Sequence, residues 1–169
     1  MTKTKVRPSE TEAPPVVVWR LIAHHAEVDK ALRWFVSSKL IAVGWGRIGD
    51  LSQMSLESPN DIAKLVSSSY PEMENSGSGG TSLWRFLNVM KKGDLVILGP
   101  KRRLVMRIDG DYEYSNVRSP ISPGDYRHQR RATRVAQDPE MLWLRCGAKI
   151  APGEGMRWTV ARCGDLAVS

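Results

Sequence analysis

From residue 93 onward the chain divides into short β-prone segments, and the turn signals between them constrain the fold most. The turn signals are Gly99-Pro100, Ser122-Pro123-Gly124, Asp138-Pro139 and Pro152-Gly153. The segments predicted as strands are DLVIL, KRRLVMRIDGDYEY, YRHQRRATRVA, MLWLR and MRWTVARC. Short strands at such intervals favour a small curved β-barrel over a parallel sheet. Because helical patterns precede them, the predicted class is α+β, with a small curved barrel flanked by helices.

The first half of the chain predicts one buried strand, a strand or turn over IAVGWGRIG, and three helices. The apolar run VVVWRLIA is typical of a strand, and EVDKALRWFVSSKL has the spacing of an amphipathic helix. Ser58 or Asn60 can cap a second helix, which Pro71 ends. PEMENSGSGGTS is expected to be a mobile loop, after which Thr81 or Ser82 caps the helix LWRFLNVMKK. Residues 1–14 are predicted to be a flexible tail, and residues 15–169 a single domain.

Composition excludes several classes of protein. A hydrophobic content of 41% with 25% charged residues is ordinary for a folded chain, which argues against wholesale disorder. The longest apolar runs are far shorter than the roughly 20 residues of a membrane span, so no membrane association is expected. The first 15 residues contain no apolar core of a secretory signal, which makes the cytoplasm the expected location. The two cysteines, Cys146 and Cys163, are too few for a disulfide framework or a structural zinc site.

The positive charge points to an acidic partner. The chain has 25 Lys+Arg against 18 Asp+Glu, a formal net charge of +7. Two basic clusters are visible in the sequence, and they are expected either to form a rim that faces phosphates or to be solvated strand faces. The candidate phosphate contacts are Arg47, Lys101, Arg102, Arg103, Arg127, Arg130, Arg131 and Arg134.

Signals of catalysis are weak. No GxxxxGK loop is present, so the P-loop of nucleotide-binding enzymes is missing. His24, His25 and Asp29 lack the spacing of metal ligands, and adjacent strand residues point to opposite faces. A cysteine paired with His128 is a weaker possibility, since both cysteines lie in apolar runs where a thiol is normally inert. We therefore expect no enzyme activity, no metal and no cofactor.

Trp45 is the strongest candidate for a ligand contact. Gly44 and Gly46 flank it and leave its side chain room to project, whereas most of the other five tryptophans have the pattern of core residues. Aromatic faces of this kind stack on unpaired bases. Tyr112 and Tyr114, predicted in a loop after the LVMRI strand, are candidates for a second wall, and Tyr126 is a weaker one.

The order of several segments resembles a known family. These segments are VVVWRLIAHH, KLIAVGWGRIGDLS, SLWRFLNVMKKGDLVIL, LVMRIDGDYEY and YRHQRRATRV. Over roughly residues 16–160 they resemble the EVE-like members of the PUA superfamily, relatives of the YTH domains, and in particular the N-terminal DNA-reading modules of McrB- and Mrr-type restriction proteins. The resemblance implies a PUA-like barrel and an aromatic cage for a flipped base, with Trp45 as one wall and Tyr112 or Tyr114 as another. The run RVAQDPEMLWLRCGAKIAPGEGMRWTV departs from the family pattern.

The expected function is a non-catalytic reader of a methylated adenine or cytosine in double-stranded DNA, which flips the base into the cage. Such a reader would serve a modification-dependent defence system whose effector nuclease or GTPase is separate. Ser52, Asp109 and Asp111 are the candidates for a hydrogen bond to the base. The alternatives are an RNA-binding PUA/YTH-like module, a small metal-dependent nuclease using His25 and His128, and a basic scaffold for a protein partner.

Overall fold

A computed structural model describes residues 14–73, 76–99, 101–149 and 159–167. Almost all of the predicted tail therefore lies outside the described residues. The described strands are β1 (Val16–Leu21), β2 (Leu40–Val43), β3 (Leu95–Leu98), β4 (Leu104–Tyr114), β5 (His128–Val135) and β6 (Val160–Leu166). The described α-helices are α1 (Val28–Ser38), α2 (Pro59–Ser69), α3 (Ser76–Trp84) and α4 (Pro139–Arg145).

The described strands form one mixed sheet of order β2-β5-β4-β3-β1-β6. Strands β1 and β3 pair in parallel, and the other neighbours are antiparallel. The predicted α+β class is confirmed. The described pairings leave β2 and β6 at opposite edges, so they show an open sheet and not a closed barrel.

Strand β4 (Leu104–Tyr114) lies within the segment KRRLVMRIDGDYEY that the sequence predicts as a strand. Its first half is buried and its second half alternates, and the pairing with β5 shifts register between Ile108 and Tyr112. This bulge absorbs Gly110 and lets pairing continue, so that Tyr114 lies opposite His128. The prediction of a loop for Tyr112 and Tyr114 is therefore wrong, and the prediction of a strand over KRRLVMRIDGDYEY is confirmed for Leu104–Tyr114.

Helices α1 and α2 confirm the sequence pattern. Ala31, Leu32 and Phe35 of α1 are buried, as the apolar spacing predicts. In α2, Ser58 is the cap of a capping box completed by Asp61. The helix ends at Ser69, two residues before Pro71.

The Gly/Ser-rich segment is helical, contrary to the prediction of a loop. Helix α3 begins at Ser76, and a π-helical turn over Arg85–Val89 continues it, so Thr81 and Ser82 lie inside the helix and cap nothing. A Cβ on Gly80 would lie 2.7 Å from the carbonyl oxygen of Pro59. The small residues therefore let α3 approach α2 closely, and this packing outweighs the low helix propensity of glycine.

The segment MLWLR is also helical, although the sequence predicts a strand. Asp138 accepts hydrogen bonds from the backbone N–H groups of Glu140 and Met141, and Pro139 occupies the first helical turn. This capped start favours α4 over a strand. Of the predicted strand MRWTVARC, the described part contributes to β6.

Two apolar clusters lie on the sheet. The larger contains Trp19, Phe35 and Phe86, and the smaller contains Leu142 of α4 with the free, buried Cys146 and Cys163. The buried Asp94 carboxylate accepts a 3.0 Å hydrogen bond from the Trp19 indole and ties β1 to β3. Among the described helices, none combines the length and apolar character that crossing a membrane requires.

Candidate functional site

A cleft of about 220 Å³ opens beside the end of β2. Three aromatic side chains, Trp45, Tyr70 and Tyr126, line it together with the Asp125 carboxylate. The other lining residues are Ile22, His25, Gly44, Met73, Pro123 and Thr159. Sites for drug-sized ligands occupy about 300–1,000 Å³. The smaller volume of this cleft therefore suits one planar ring or a similar group.

The turn after β2 places Trp45 in the cleft. Trp45 has a φ of 63°, in the left-handed region, and the next residue, Gly46, donates a 2.9 Å hydrogen bond from its N–H to the Asp125 carbonyl. A Cβ on Gly46 would lie 2.3 Å from that carbonyl oxygen, so only glycine allows this approach. On the far side, a Cβ on Gly79 of α3 would lie 3.1 Å from the Trp45 indole. The indole is thus packed between the cleft and α3.

Two hydrogen bonds of His128 support the Trp45 turn. The His128 Nε2 atom lies 3.1 Å from the Trp45 carbonyl oxygen, and its Nδ1 atom lies 2.7 Å from the Tyr112 hydroxyl. Because a carbonyl can only accept, Nε2 carries the proton and Nδ1 accepts from Tyr112. Burial lowers the pKa of His128 to about 4, which favours this neutral form.

Tyr112 and Tyr114 lie behind the turn and do not line the cleft. The Tyr112 hydroxyl accepts a 3.2 Å hydrogen bond from the Leu51 N–H, and the Tyr114 hydroxyl donates a 2.8 Å bond to the Gly46 carbonyl. Burial also raises the pKa of Tyr112 above its usual value. The structure therefore places both tyrosines where they position Trp45, whereas the sequence predicts one of them as a cage wall.

Tyr70 and Asp125 form the polar side of the cleft. The Tyr70 hydroxyl donates a 2.6 Å hydrogen bond to Asp125 Oδ2 and accepts a 3.0 Å bond from the Arg47 N–H. Burial, reinforced by Asp125, raises the pKa of Tyr70 to about 12. No donor from the described residues contacts Asp125 Oδ1, which lies 3.8 Å from where a Cβ on Gly44 would be. This oxygen is available to accept from a ligand.

Tyr126 closes the cleft on the side of Gly44. Its ring would lie 3.7 Å from a Cβ on Gly44, and it is tilted against the His24 ring with a centroid distance of 5.4 Å. Burial raises the pKa of Tyr126 to about 12, so its hydroxyl stays protonated at neutral pH.

The predicted hydrogen-bonding residues lie outside the cleft. The Ser52 hydroxyl donates to Asp50, Asp111 pairs with Lys92 at 3.3 Å, and Asp109 pairs with Arg107 at 2.8 Å. None of these three candidates lines the cleft. The carboxylate that lines the cleft is that of Asp125, which the sequence analysis does not single out.

The predicted phosphate contacts are spread over several surfaces. Arg47 lies at the cleft rim, where its guanidinium stacks 3.8 Å over the Tyr70 ring and pairs with Glu72 at 2.6 Å. Arg102 pairs with Glu140, and Arg103 with Asp29. Lys101, Arg131 and Arg134 are exposed, and Arg127 is half-buried beside Gly46.

Arg130 differs from the other predicted phosphate contacts because it is buried, and the structure corrects its assignment as a phosphate contact. It is 4% exposed, and its guanidinium donates to the backbone carbonyls of Phe86, Leu87 and Gly110 at 2.7, 3.2 and 3.0 Å. The first two bonds satisfy carbonyls of the π-helical turn after α3, and the third satisfies a carbonyl of β4. The side chain therefore holds α3 to β4 and is not exposed to a phosphate.

A metal centre gains no support from the described residues. No three His, Cys, Asp or Glu side chains among them form a group that could hold a metal ion. His24 Nδ1 accepts hydrogen bonds from the N–H groups of Ala26 and Glu27, and Nε2 lies 2.8 Å from the Ser122 carbonyl. Both of its ring nitrogens are thus already bonded within the protein.

Sequence reasoning identified Trp45 and missed most of its partners. Tyr70 follows a helix and Asp125 follows a Pro-Gly turn, and neither position carries a motif. Tyr126, the weaker candidate, lines the cleft. The available signal was the Gly-Trp-Gly sequence, because flanking glycines indicate that another segment comes close. The signal did not show which segment this is.

One family model matches this chain over residues 19–147, and its description is "Domain of unknown function (DUF8426)". The match includes Trp45, Tyr70, Asp125 and Tyr126, and therefore most of the cleft. A search of curated proteins found no match.

Proposed function

The chain belongs to the family described as Domain of unknown function (DUF8426), and from the geometry of its cleft we propose that it reads a modified base in DNA. In this proposal the base leaves the duplex and enters the cleft between Trp45 and Tyr126. The observation that carries the proposal is the grouping of three aromatic side chains around one carboxylate in a cleft of about 220 Å³.

Stacking supplies the main favourable contribution. Extruding a base costs a few kcal/mol, and each aromatic contact with a base returns about 1–3 kcal/mol. Trp45 and Tyr126 can together offset the cost of extrusion. A buried methyl adds only about 0.8 kcal/mol, so a methyl group alone gives modest discrimination.

The Asp125 carboxylate supplies the hydrogen-bond acceptor. Its Oδ2 atom is engaged by Tyr70, while Oδ1 lies near Gly44 beside the cleft. Adenine and cytosine both carry an exocyclic amine that a carboxylate can accept from, whereas thymine carries a carbonyl oxygen there. We therefore propose that Asp125 selects a base with an exocyclic amine, a property that guanine shares, and that this base is a methylated adenine or cytosine.

The proposal includes the relationship to PUA-like barrels. The sheet has register shifts in the β1–β6 and β4–β5 pairings, and such bulges bend strands and increase their twist. This supports a strongly curved sheet. An experimental structure in which β2 and β6 approach one another would test whether the sheet closes.

The proposed domain recognises the base and performs no covalent chemistry. Cleavage of DNA would belong to a separate nuclease or GTPase effector in a modification-dependent defence system. The chain by itself would then bind modified DNA without altering it.

Fluorescence anisotropy with matched duplexes tests this proposal. The duplexes carry adenine, N6-methyladenine, cytosine, 5-methylcytosine or 5-hydroxymethylcytosine, and an RNA of the same sequence is included. One modified duplex should bind several-fold more tightly than its unmodified match. Equal binding to all duplexes would overturn the proposal. Tighter binding to the RNA would identify RNA, and not DNA, as the ligand.

Two pairs of variants assign the selectivity to the cleft. Trp45→Leu should abolish it, whereas Trp143→Leu, which alters a tryptophan on α4, should retain it. Asp125→Asn should reduce it, whereas Asp109→Asn should not. If Trp45→Leu still prefers the modified duplex, the base binds outside the cleft.

A further inference from the structure

A second concave surface runs along α1, close to the cleft. It consists of two adjoining concavities of about 680 and 910 Å³ that share Asp29, Lys30, Arg33 and Arg103. We call this surface the α1 groove. Its cationic side chains are Lys30, Arg33, Lys101, Arg103 and Arg134.

The α1 groove carries an excess of positive charge. Against its five cations stand two carboxylates, Glu27 and Asp29. Asp29 pairs with Arg103 at 3.0 Å, and Glu27 accepts a 2.9 Å hydrogen bond from the Ser122 N–H. Arg33, Lys101 and Arg134 have no ion-pair partner among the described residues. They can therefore bind an external anion without first losing an internal partner.

The floor of the α1 groove is apolar. Leu32 and Leu104 are nearly buried, while Trp34 and Pro120 retain some exposure. A floor of this kind with cations on the rim suits a chain that has an apolar side and regularly spaced negative charges. The sugar-phosphate backbone of a nucleic acid carries such a row of negative charges, and the carbon atoms of its sugars can lie on the apolar floor.

A narrow ridge separates the α1 groove from the cleft. His25 lines the cleft and Ala26 lines the groove; on the facing loop, Pro123 lines the cleft and Pro120 the groove. Two hydrogen bonds join the loops: Glu27 accepts from the Ser122 N–H, and His24 Nε2 donates to the Ser122 carbonyl. The ridge is therefore a braced boundary between the two concave surfaces.

We propose that the backbone flanking the extruded base crosses this ridge and lies in the α1 groove, with its phosphates on Arg33, Lys101 and Arg134. The inference rests on the proposed function, since it takes the base in the cleft as its starting point. It extends that function by adding Lys30 and Arg33 of α1 to the binding surface. Arg131 faces the other side of β5, three residues from Arg134, and makes no contribution.

The salt dependence of binding tests the α1 groove. The double variant Arg33→Gln/Arg134→Gln is compared with Arg131→Gln/Arg145→Gln, which removes the same charge from two other exposed arginines. Affinities for modified and unmodified duplexes are measured at several salt concentrations. Circular dichroism and thermal melting establish that both variants are folded.

The groove variant should bind both duplexes at least tenfold more weakly at 0.1 M salt. The slope of log K against log salt should fall by about one for each arginine. The preference for the modified base should persist, because these residues contact no base. The control variant should stay within about twofold of the parent protein.

Equal losses in the two double variants, or an unchanged salt slope in the groove variant, would overturn the inference. Failure of the proposed function gives a different result. In that case the parent protein would show no preference among duplexes, while the salt slope for unmodified DNA would still report on the α1 groove.

Discussion

The His128 imidazole donates from Nε2 to the Trp45 carbonyl oxygen at 3.1 Å, and this bond joins the start of β5 to the turn that carries Trp45. The same ring accepts from the Tyr112 hydroxyl at 2.7 Å. His128 is fully buried, whereas Trp45 is half-buried in a left-handed conformation. The strain of that conformation is thus offset by contacts with β4 and β5.

Replacement of His128 by phenylalanine should destabilise the protein. It removes one donor to the Trp45 carbonyl and the acceptor of the Tyr112 hydroxyl proton, and a buried donor that loses its acceptor costs about 1–3 kcal/mol. We expect the free energy of unfolding in urea to fall by about 2–4 kcal/mol. The exposed His25 provides the control, and His25→Phe should change that free energy by less than about 0.5 kcal/mol. Equal losses of stability in His128→Phe and His25→Phe would show that His128 does not support the Trp45 turn.

The protein should lose stability as the pH falls from about 6.5 to about 4. The folded-state pKa of His128 is lowered to about 4, so between these pH values the unfolded chain binds the additional proton. Acidification therefore favours unfolding, by about 3 kcal/mol across the window at 1.36 kcal/mol per pKa unit. Above pH 6.5 the neutral His128 contributes its full amount to the free energy of unfolding. Urea titrations at intervals of pH should show a smaller pH dependence for His128→Gln, and parallel curves would contradict this assignment.

Gly46→Ala should distort the cleft as well as destabilise the fold. The added Cβ would lie 2.3 Å from the Asp125 carbonyl oxygen, which is backbone and must move. We expect a loss of about 2–4 kcal/mol in the free energy of unfolding. Gly77→Ala is the matched control, because no atom lies within 4 Å of its Cβ position and alanine favours a helix. It should stabilise by about 0.5–1 kcal/mol, measured by thermal or urea denaturation.

Arg130→Met should reduce stability without changing the salt dependence of DNA binding. The three carbonyls that Arg130 caps would lose their donors, at a cost of about 2–4 kcal/mol. Arg131→Met, its exposed neighbour, should stay within about 0.5 kcal/mol of the parent protein. Denaturation and salt titration of the same two variants give both readouts. If the slope of log K against log salt falls for Arg130→Met and not for Arg131→Met, Arg130 contacts a phosphate after all.

Local patterns in the sequence were sufficient to predict β1, α1 and the start of α2. Apolar spacing identified the buried residues Ala31, Leu32 and Phe35, and Ser58 was one of the two candidate caps. The flanking glycines singled out Trp45. These features depend on neighbours within a few positions along the chain, which is why a sequence alone can indicate them.

The prediction of a loop before residue 83 failed because of long-range packing. Residues 76–84 are helical because Gly79 and Gly80 fit against Trp45 and Pro59, and no local signal shows this contact. For α4 the local signal existed, since Asp138 and Pro139 form a capped helix start, but the β-prone apolar run obscured it.

The sequence by itself therefore determined the α+β class, the basic charge and the one tryptophan freed by glycines. Only the tertiary structure decided what surrounds that tryptophan. Tyr70 comes from the end of α2, and Asp125 and Tyr126 come from the loop before β5, some 55 residues later along the chain. A hydrogen bond such as that between Tyr70 and Asp125 forms because the sheet and α2 bring two segments together, and residue spacing does not encode that distance.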